Sequence, residues 1–350
     1  MRIGVIGAGK IGTLRAETIK NNPSTELAAV FDVSAQLAQG AVAGTGAKPV
    51  ASLEAFLDTP MDAAIISTPP HLHEEAAVAC YARGLHVLCE KPLSNTVEGG
   101  KRIVDAALAA GRVLATGFNM RYYPFAKFAR ETVEAGEIGT VDRIRVFGGH
   151  DGLHNFSADW QYKMPLSGGG AMMDVGIHMS DLARLFLGEV AEVSGSISER
   201  VYNLPGSEDT ALALFRNADG IPASYEATWT EWKGYRSAIE IYGDKGMVSG
   251  AYAPMQNMLI VKGAKTVKKV YPEIMVREKL KSWKSTALLS FADELADFLA
   301  MTRGDMSVPL ADGYAGLRTL EMAAAVRESS ATSSVVKLAH LGRMPAVTPA

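Results

Sequence analysis

The chain has 350 residues, 48% of them apolar and 21% charged, with a formal net charge of −3. That length accommodates two domains with substantial cores, and a near-neutral balance without a basic, aromatic-interleaved stripe argues against nucleic-acid binding. No apolar run is long enough to span a bilayer.

The opening segment, Ile3 to Gly12, reads IGVIGAGKIG. A short buried strand ends in the spacing G-x-G-x-x-G, supplied by Gly7, Gly9 and Gly12. The first glycine allows a tight turn, the second lets backbone amides approach a pyrophosphate, and the third lets the next helix sit close on the strand. The helix expected from about Ile11 to Asn21 points its N-terminus at that phosphate, where dipole and free N–H groups favour negative charge. A second strand, Leu27–Phe31, delivers Asp32. A carboxylate there accepts the ribose hydroxyls of an adenosine and repels a 2′-phosphate, which predicts NAD rather than NADP.

The strand–helix alternation continues to about Gly117. Strands are expected at Lys48–Val50, Ala63–Ser67, His86–Cys89 and Val113–Thr116, and helices at Ala35–Ala43, Leu53–Leu57, His73–Arg83 and Thr96–Ala110. Continuous apolar runs between helices suit strands buried on both faces of a parallel sheet. Cys80 and Cys89 fall within this region outside any C-x-x-C pair, as expected of free thiols in a reducing compartment. An expected strand at Arg2 leaves no room for a signal peptide, so a cytoplasmic enzyme is the expectation.

Beyond Gly117 the rhythm changes. A helix is expected over Phe125–Ala135 and a strand over Val141–Gly148. An irregular stretch, His150 to Gly170, precedes a helix over Ala171–Leu187. Seven strands follow: Val190–Glu199, Asp209–Arg216, Ala223–Thr230, Ser237–Tyr242, Met247–Ala251, Met258–Val261 and Thr266–Val270, several separated by Gly or Asn/Asp turns. In the third, Ala223, Tyr225, Ala227 and Trp229 share one face and Ser224, Glu226, Thr228 and Thr230 the other; one of the two faces is expected to pack on helices, and the other is either solvated or paired with a second subunit. Two apolar-striped helices close the chain, Thr286–Met301 and Asp312–Ser329.

The expected fold class is therefore α/β: an N-terminal Rossmann doubly wound parallel sheet (1–118), an α+β domain with a large, mostly antiparallel sheet (119–341), and a loose tail (342–350).

Two clusters carry chemistry. Thr68-Pro69-Pro70 and Glu90-Lys91-Pro92 lie at carboxyl ends of strands, where ligands of open α/β sheets bind. The Lys91 ammonium either bonds a substrate oxygen in a dry cleft or is merely solvated. In GGGAMMDVGIHMSD, residues 168–181, three glycines allow close approach of something large. Asp174 and His178 are four apart and share a helix face, and Asp181 is placed to orient His178. A neutral imidazole suits proton abstraction from a hydroxyl losing hydride. A structural Asp–His pair is the competing reading. A metal half-site is disfavoured, because no cysteine, paired histidine or H-E-x-x-H accompanies it.

GAGKIG, STPPHLH, CEKPLS, GFNMRYYP and GGGAMMDVGIHMSDLARLFLG together resemble the Gfo/Idh/MocA oxidoreductase family, over nearly the whole chain. The resemblance implies a cofactor site of Gly7, Gly9, Lys10, Ile11, Gly12, Asp32, Ser67, Thr68, Pro69, His73, Glu90, Lys91 and Asn119, with Glu90 near the nicotinamide ribose and Pro92 cis. It implies catalysis by Lys91, Asp174 and His178, with His178 as acid/base. Substrate contacts are expected from Lys91, His150, Asp174 and His178. Arg121 either binds sugar hydroxyls or forms a structural salt bridge. Trp160 either stacks on a pyranose or packs in the core. Asp151, His154, Asn155, Tyr162 and Lys163 add polar lining. The basic segment Arg277, Lys279, Lys281 and Lys284 reads as a solvated face, or as a contact for an anionic substituent.

The expected function is NAD-dependent oxidation of a secondary hydroxyl of a cyclic sugar, sugar derivative or inositol, or reduction of the matching ketone. The expected assembly is a dimer or tetramer through the C-terminal sheet. The alternatives are an NAD-dependent glycoside hydrolase or lyase working by transient oxidation, and a non-catalytic NAD-binding regulator. Retention of Lys91, Asp174 and His178 argues against the regulator.

Overall fold

The computed structural model describes residues 1–152 and 158–346, and the chain divides into two compact units. Of the described residues, 1–119, 283–317 and 343–346 form the first, and 120–152, 158–282 and 318–342 form the second.

The first unit begins β1 (Arg2–Ile6), α1 (Lys10–Asn21), β2 (Glu26–Phe31), α2 (Ala35–Ala41), β3 (Lys48–Val50), α3 (Leu53–Leu57), β4 (Ala63–Ile66), α4 (His73–Ala82), β5 (His86–Glu90), α5 (Val97–Ala110) and β6 (Leu114–Gly117). Its six strands lie in the order β3-β2-β1-β4-β5-β6, and the pairings from β3 through β6 are parallel. β4 and β6 are buried along their whole length, as a sheet covered by helices on both faces requires. Cys80 and Cys89 are free and buried. Burial pushes the Cys80 thiol up to about 12 and raises Cys89 as well, so both stay protonated.

The second unit holds α6 (Pro124–Glu134), β7 (Val141–Gly149), α7 (Met164–Ser167), α8 (Gly176–Leu187), β8 (Val190–Ser198), β9 (Thr210–Asn217), β10 (Pro222–Thr228), β11 (Arg236–Gly243), β12 (Gly246–Tyr252), β13 (Gln256–Val261), β14 (Lys265–Val270) and α9 (Pro272–Lys281). After α10 (Lys284–Thr302) and α11 (Gly313–Thr332), β15 (Val336–Lys337) completes a nine-stranded sheet in the order β14-β13-β12-β11-β7-β10-β9-β8-β15. The sheet is antiparallel except where β7 meets β10. Ala223, Tyr225, Ala227 and Trp229 are buried, and α8 lies on β7 and β10. Small residues set that contact: a Cβ at Gly148 would meet Met179 at 2.7 Å, and one at Gly176 would collide with the Tyr225 hydroxyl.

Three expectations need correction. The second domain is not one continuous segment, because α10 returns to the first unit. There Ala287 and Phe291 pack on Leu14, and Glu294 pairs with Arg15. The N–H of Thr116 in β6 also donates to Ala311 at 2.8 Å. The tail is tied down at its start, since Met344 is buried and its N–H donates to the Asp312 carboxylate at 2.9 Å. Third, α8 begins at Gly176 rather than Ala171, so Asp174 sits in the turn before the helix.

Candidate active site

The nucleotide cradle belongs to the first unit. Gly7 has φ +90° and its carbonyl touches Gly12 so closely that a Cβ there would collide with it. Only glycine allows both the left-handed turn and the flush seating of α1. At Gly9 nothing lies within 4 Å of a Cβ position. The N-terminus of α1 has no side-chain cap and no acidic residue in its first turn, so its N–H groups face an open, positively polarised space. Asp32 follows β2 and accepts the N–H of Ala8 at 2.6 Å and of Ser34 at 2.7 Å. Beyond β4, the hydroxyls of Ser67 and Thr68 are buried and have no protein partner among the described residues. An open helix end, a carboxylate at the end of β2 and two unanswered hydroxyls fit a dinucleotide. Lys10 is exposed at the start of α1, and the Ile11 side chain turns to the Leu14–Phe291 cluster, leaving Ile11 its backbone for a ligand.

Other residues expected at the cofactor are used within the protein. His73 is fully buried, with Nε2 2.7 Å from the Thr68 carbonyl oxygen and Nδ1 3.0 Å from that of Pro92. It ties the loop after β4 to the loop after β5. Burial lowers its pKa against the pull of those carbonyls and of Glu90. Glu90 Oε1 accepts Arg15 Nε at 2.7 Å, and Arg15 reaches Glu294 at 2.5 Å, so its carboxylate anchors α1 and α10 rather than standing free for a ribose. Its Oε2 accepts the N–H of Lys91 at 3.3 Å. The Lys91–Pro92 bond is cis. Asn119 donates to the Ser290 hydroxyl at 3.0 Å.

The second unit carries Asp174 and His178. The N–H of Asp174 closes a turn on Gly170 at 3.2 Å. The triple glycine does allow close approach of something large, and that neighbour is the protein itself. Gly168 is left-handed at φ +84°. A Cβ at Gly169 would strike the Arg327 guanidinium, and one at Gly170 the Glu208 backbone. Glu208, fully buried, accepts the N–H groups of Gly170 at 3.1 Å and Met172 at 2.9 Å and the Arg327 guanidinium at 3.0 Å. This buried clamp sets the height of the turn that presents Asp174.

The Asp174 side chain keeps 30% of its surface exposed, while His150 is buried beside it. Its Oδ2 lies 2.7 Å from His150 Nε2 and accepts the Trp229 indole N–H at 3.1 Å. His150 was expected at the substrate; its polar atoms serve Asp174 and, through Nδ1, the N–H of Gly152 at 3.2 Å. Arg121 takes the salt-bridge alternative: it is a buried, bidentate partner of Asp181 at 2.7 and 2.5 Å, so Asp181 serves Arg121. Trp160 lies half-exposed on a helical turn, Asp159–Tyr162, where Tyr162 and Lys163 both bond Asp159. His154 and Asn155 lie outside the described residues. Nothing local in the sequence pairs Trp229 with a carboxylate 55 residues earlier, or Glu208 with Arg327. Among the described residues no cluster of three or more His, Cys, Asp or Glu forms a metal site, and no helix is long and apolar enough to cross a membrane.

A six-stranded parallel sheet with an open glycine turn after its first strand is the architecture of a dinucleotide-binding domain. Residues 1–118 match the oxidoreductase family with an NAD-binding Rossmann fold, and residues 126–249 match the GFO/IDH/MocA C-terminal domain. The chain belongs to the Gfo/Idh/MocA family. It is 31% identical over 360 residues to inositol 2-dehydrogenase of Acidiphilium cryptum, covering 99% of this chain and 98% of that one. It is 31% identical over 254 residues to myo-inositol 2-dehydrogenase of Thermotoga maritima, covering 71% and 74%. A solved levoglucosan dehydrogenase in complex with NADH and levoglucosan shares the fold, with a TM-score of 0.85, 23% identity and coverage of 97% and 100%.

Proposed function

We propose that this enzyme oxidises a secondary hydroxyl of a cyclic sugar, a sugar derivative or an inositol, or reduces the matching ketone. His178 takes the hydroxyl proton, Lys91 hydrogen-bonds the reacting oxygen, and Asp174 holds that oxygen or its neighbour. NAD accepts the hydride; the protein's contribution is orientation and charge placement. The observation that carries the reading is Asp174, a partly exposed carboxylate aimed by two buried donors, four residues before an imidazole. The names of the inositol 2-dehydrogenase relatives support the substrate class.

The test is a panel of cyclic polyols and glycosides with NAD, followed by NADH absorbance and product chromatography, so that oxidation is separated from redox-assisted cleavage. Lys91→Ala and His178→Ala each lose about 10²–10⁴-fold in kcat and retain NAD binding by calorimetry. Wild-type turnover in either variant removes that residue's role.

The assembly proposed is a homo-oligomer through the outer face of the nine-stranded sheet. Leu212 and Leu214 are exposed there around a hollow of about 630 Å³, flanked by Arg145, Glu226 and Glu240. A face carrying both charge signs is suited to meet a copy of itself. Leu212→Glu lowers the mass measured by light scattering; an unchanged mass rejects this interface.

A further inference from the structure

The sequence places His150 among substrate contacts, yet its two ring nitrogens face Asp174 and the Gly152 N–H. Its backbone is pinned on both sides: its N–H donates to Thr228 at 3.1 Å and its carbonyl accepts the Glu231 N–H at 3.0 Å. These bonds fix the point from which the ring projects. Nδ1 accepts the Gly152 N–H, so in the neutral ring the proton is on Nε2, the atom 2.7 Å from Asp174 Oδ2. Trp229 is fully buried, its own N–H bonded to Asp209 at 2.7 Å, and its indole N–H reaches the same Oδ2.

Two donors converging on one carboxylate oxygen do two things. They fix the plane of the carboxylate, and they favour its ionised form, since both bonds are stronger to a charged acceptor than to a neutral carboxyl.

We infer that His150 and Trp229 are positioning residues for turnover: they act through Asp174, holding it ionised and in one orientation, and not on the substrate. This rests on the role proposed above for Asp174. Among the described residues, His150 beyond β7 bonds Asp174, Tyr235 ahead of β11 faces it, and His178 follows four residues later on its own segment. Tyr235 feels the carboxylate: its phenol is pushed up to about 12, chiefly by burial and in part by Asp174.

The experiment uses four variants of the full-length enzyme. Trp229→Phe removes the indole N–H and keeps most of the ring. His150→Leu removes the imidazole donor. His150→Gln restores an N–H at similar reach. Asp174→Asn tests the underlying assignment. Loss of one hydrogen bond to a charged group predicts about tenfold lower kcat in Trp229→Phe and in His150→Leu. KM for the best substrate of the polyol panel changes by less than about threefold, and the acid limb of the kcat–pH profile moves to higher pH. His150→Gln recovers most of the loss, and NAD affinity is unchanged throughout.

A substrate-free readout runs in parallel. The Trp229 indole ¹H–¹⁵N resonance, assigned by its disappearance in Trp229→Phe, titrates with Asp174, and its midpoint rises in His150→Leu but not in His150→Gln. The inference is overturned if His150→Leu leaves both the acid limb and the indole midpoint where they are in the wild type, if the loss appears in KM alone, or if His150→Gln is as impaired as His150→Leu. Wild-type turnover in Asp174→Asn overturns the role proposed for Asp174 and this inference with it. An inactive Asp174→Asn beside wild-type-like Trp229→Phe and His150→Leu overturns only the inference.

Discussion

Arg15 offers the sharpest test of how the first unit is held together. It lies on α1, fully buried, with its guanidinium between Glu90 at the end of β5 and Glu294 on α10. The same guanidinium sits 3.8 Å from the centre of the Phe291 ring. Each carboxylate is desolvated, Glu294 completely and Glu90 almost so, and both pair with this cation. Replacing Arg15 with Met keeps the length and apolar stem but strands two buried negative charges. Breaking a buried ion pair from one side costs about 3–5 kcal/mol. For a unit of this size each kcal/mol lowers the melting temperature by about 2–4 °C, so a drop of roughly 6–20 °C is expected in calorimetry. Adding Glu294→Met to Arg15→Met relieves one stranded charge and recovers part of the loss, because removing both partners is far cheaper than removing one. A single Arg15→Met variant within about 1 kcal/mol of the wild type would refute the reasoning, as would a double variant less stable than the single one.

Gly9→Ala is expected to fold normally, because a Cβ there meets nothing, while weakening NAD binding by crowding the pyrophosphate approach. Gly170→Ala, whose Cβ meets the Glu208 backbone, is expected to lose about 1–3 kcal/mol of stability. Urea unfolding and NAD titration of the pair decide this, and reversed outcomes reject the assignment. Asp32→Ala is expected to weaken NAD more than NADP. Both cofactors feel the lost bond to Ala8, so only the ribose contact separates them, and equal losses by calorimetry reject that contact. Acid stability should report on His86, whose pKa is lowered to about 4 by burial and then by Arg112. The unfolded chain takes up this proton near pH 6.5 and the folded chain only near 4, so stability falls as pH drops through that window. The loss, discounted for partial exposure, is about 1–2 kcal/mol. His86→Asn keeps an acceptor for the Val113 N–H and flattens the difference; the same pH slope in wild type and variant contradicts it.

The fold was legible because its signals are local. The parallel sheet announces itself through apolar runs between helices, and β10 through the alternation that buries Ala223, Tyr225, Ala227 and Trp229. The glycines of the nucleotide turn work against neighbours only a few residues away, Gly12 against Gly7. α9 was missed because its residues, PEIMVREKLK, bury only Ile274, and a helix with so little to bury reads like a solvated charged stretch.

The supports of the site were illegible for the opposite reason. A triple glycine looks the same whether it admits a sugar or a guanidinium. What distinguishes the two is Arg327, more than 150 residues downstream, filling the space where a Gly169 side chain would be. Glu90 and Arg121 share this ambiguity: a charged residue at a strand end or before a helix reads as ligand-facing until its partner is located. Arg15, Glu294 and Asp181 are those partners, all in buried bonds. Once these ions are satisfied within the protein, the polar groups left are fewer and more telling: in the first unit the unanswered hydroxyls of Ser67 and Thr68 after β4, and in the second the partly exposed Asp174. The charges already spent within the protein therefore narrow the candidate site, and the His150 ring is engaged in the same way, by the Asp174 carboxylate.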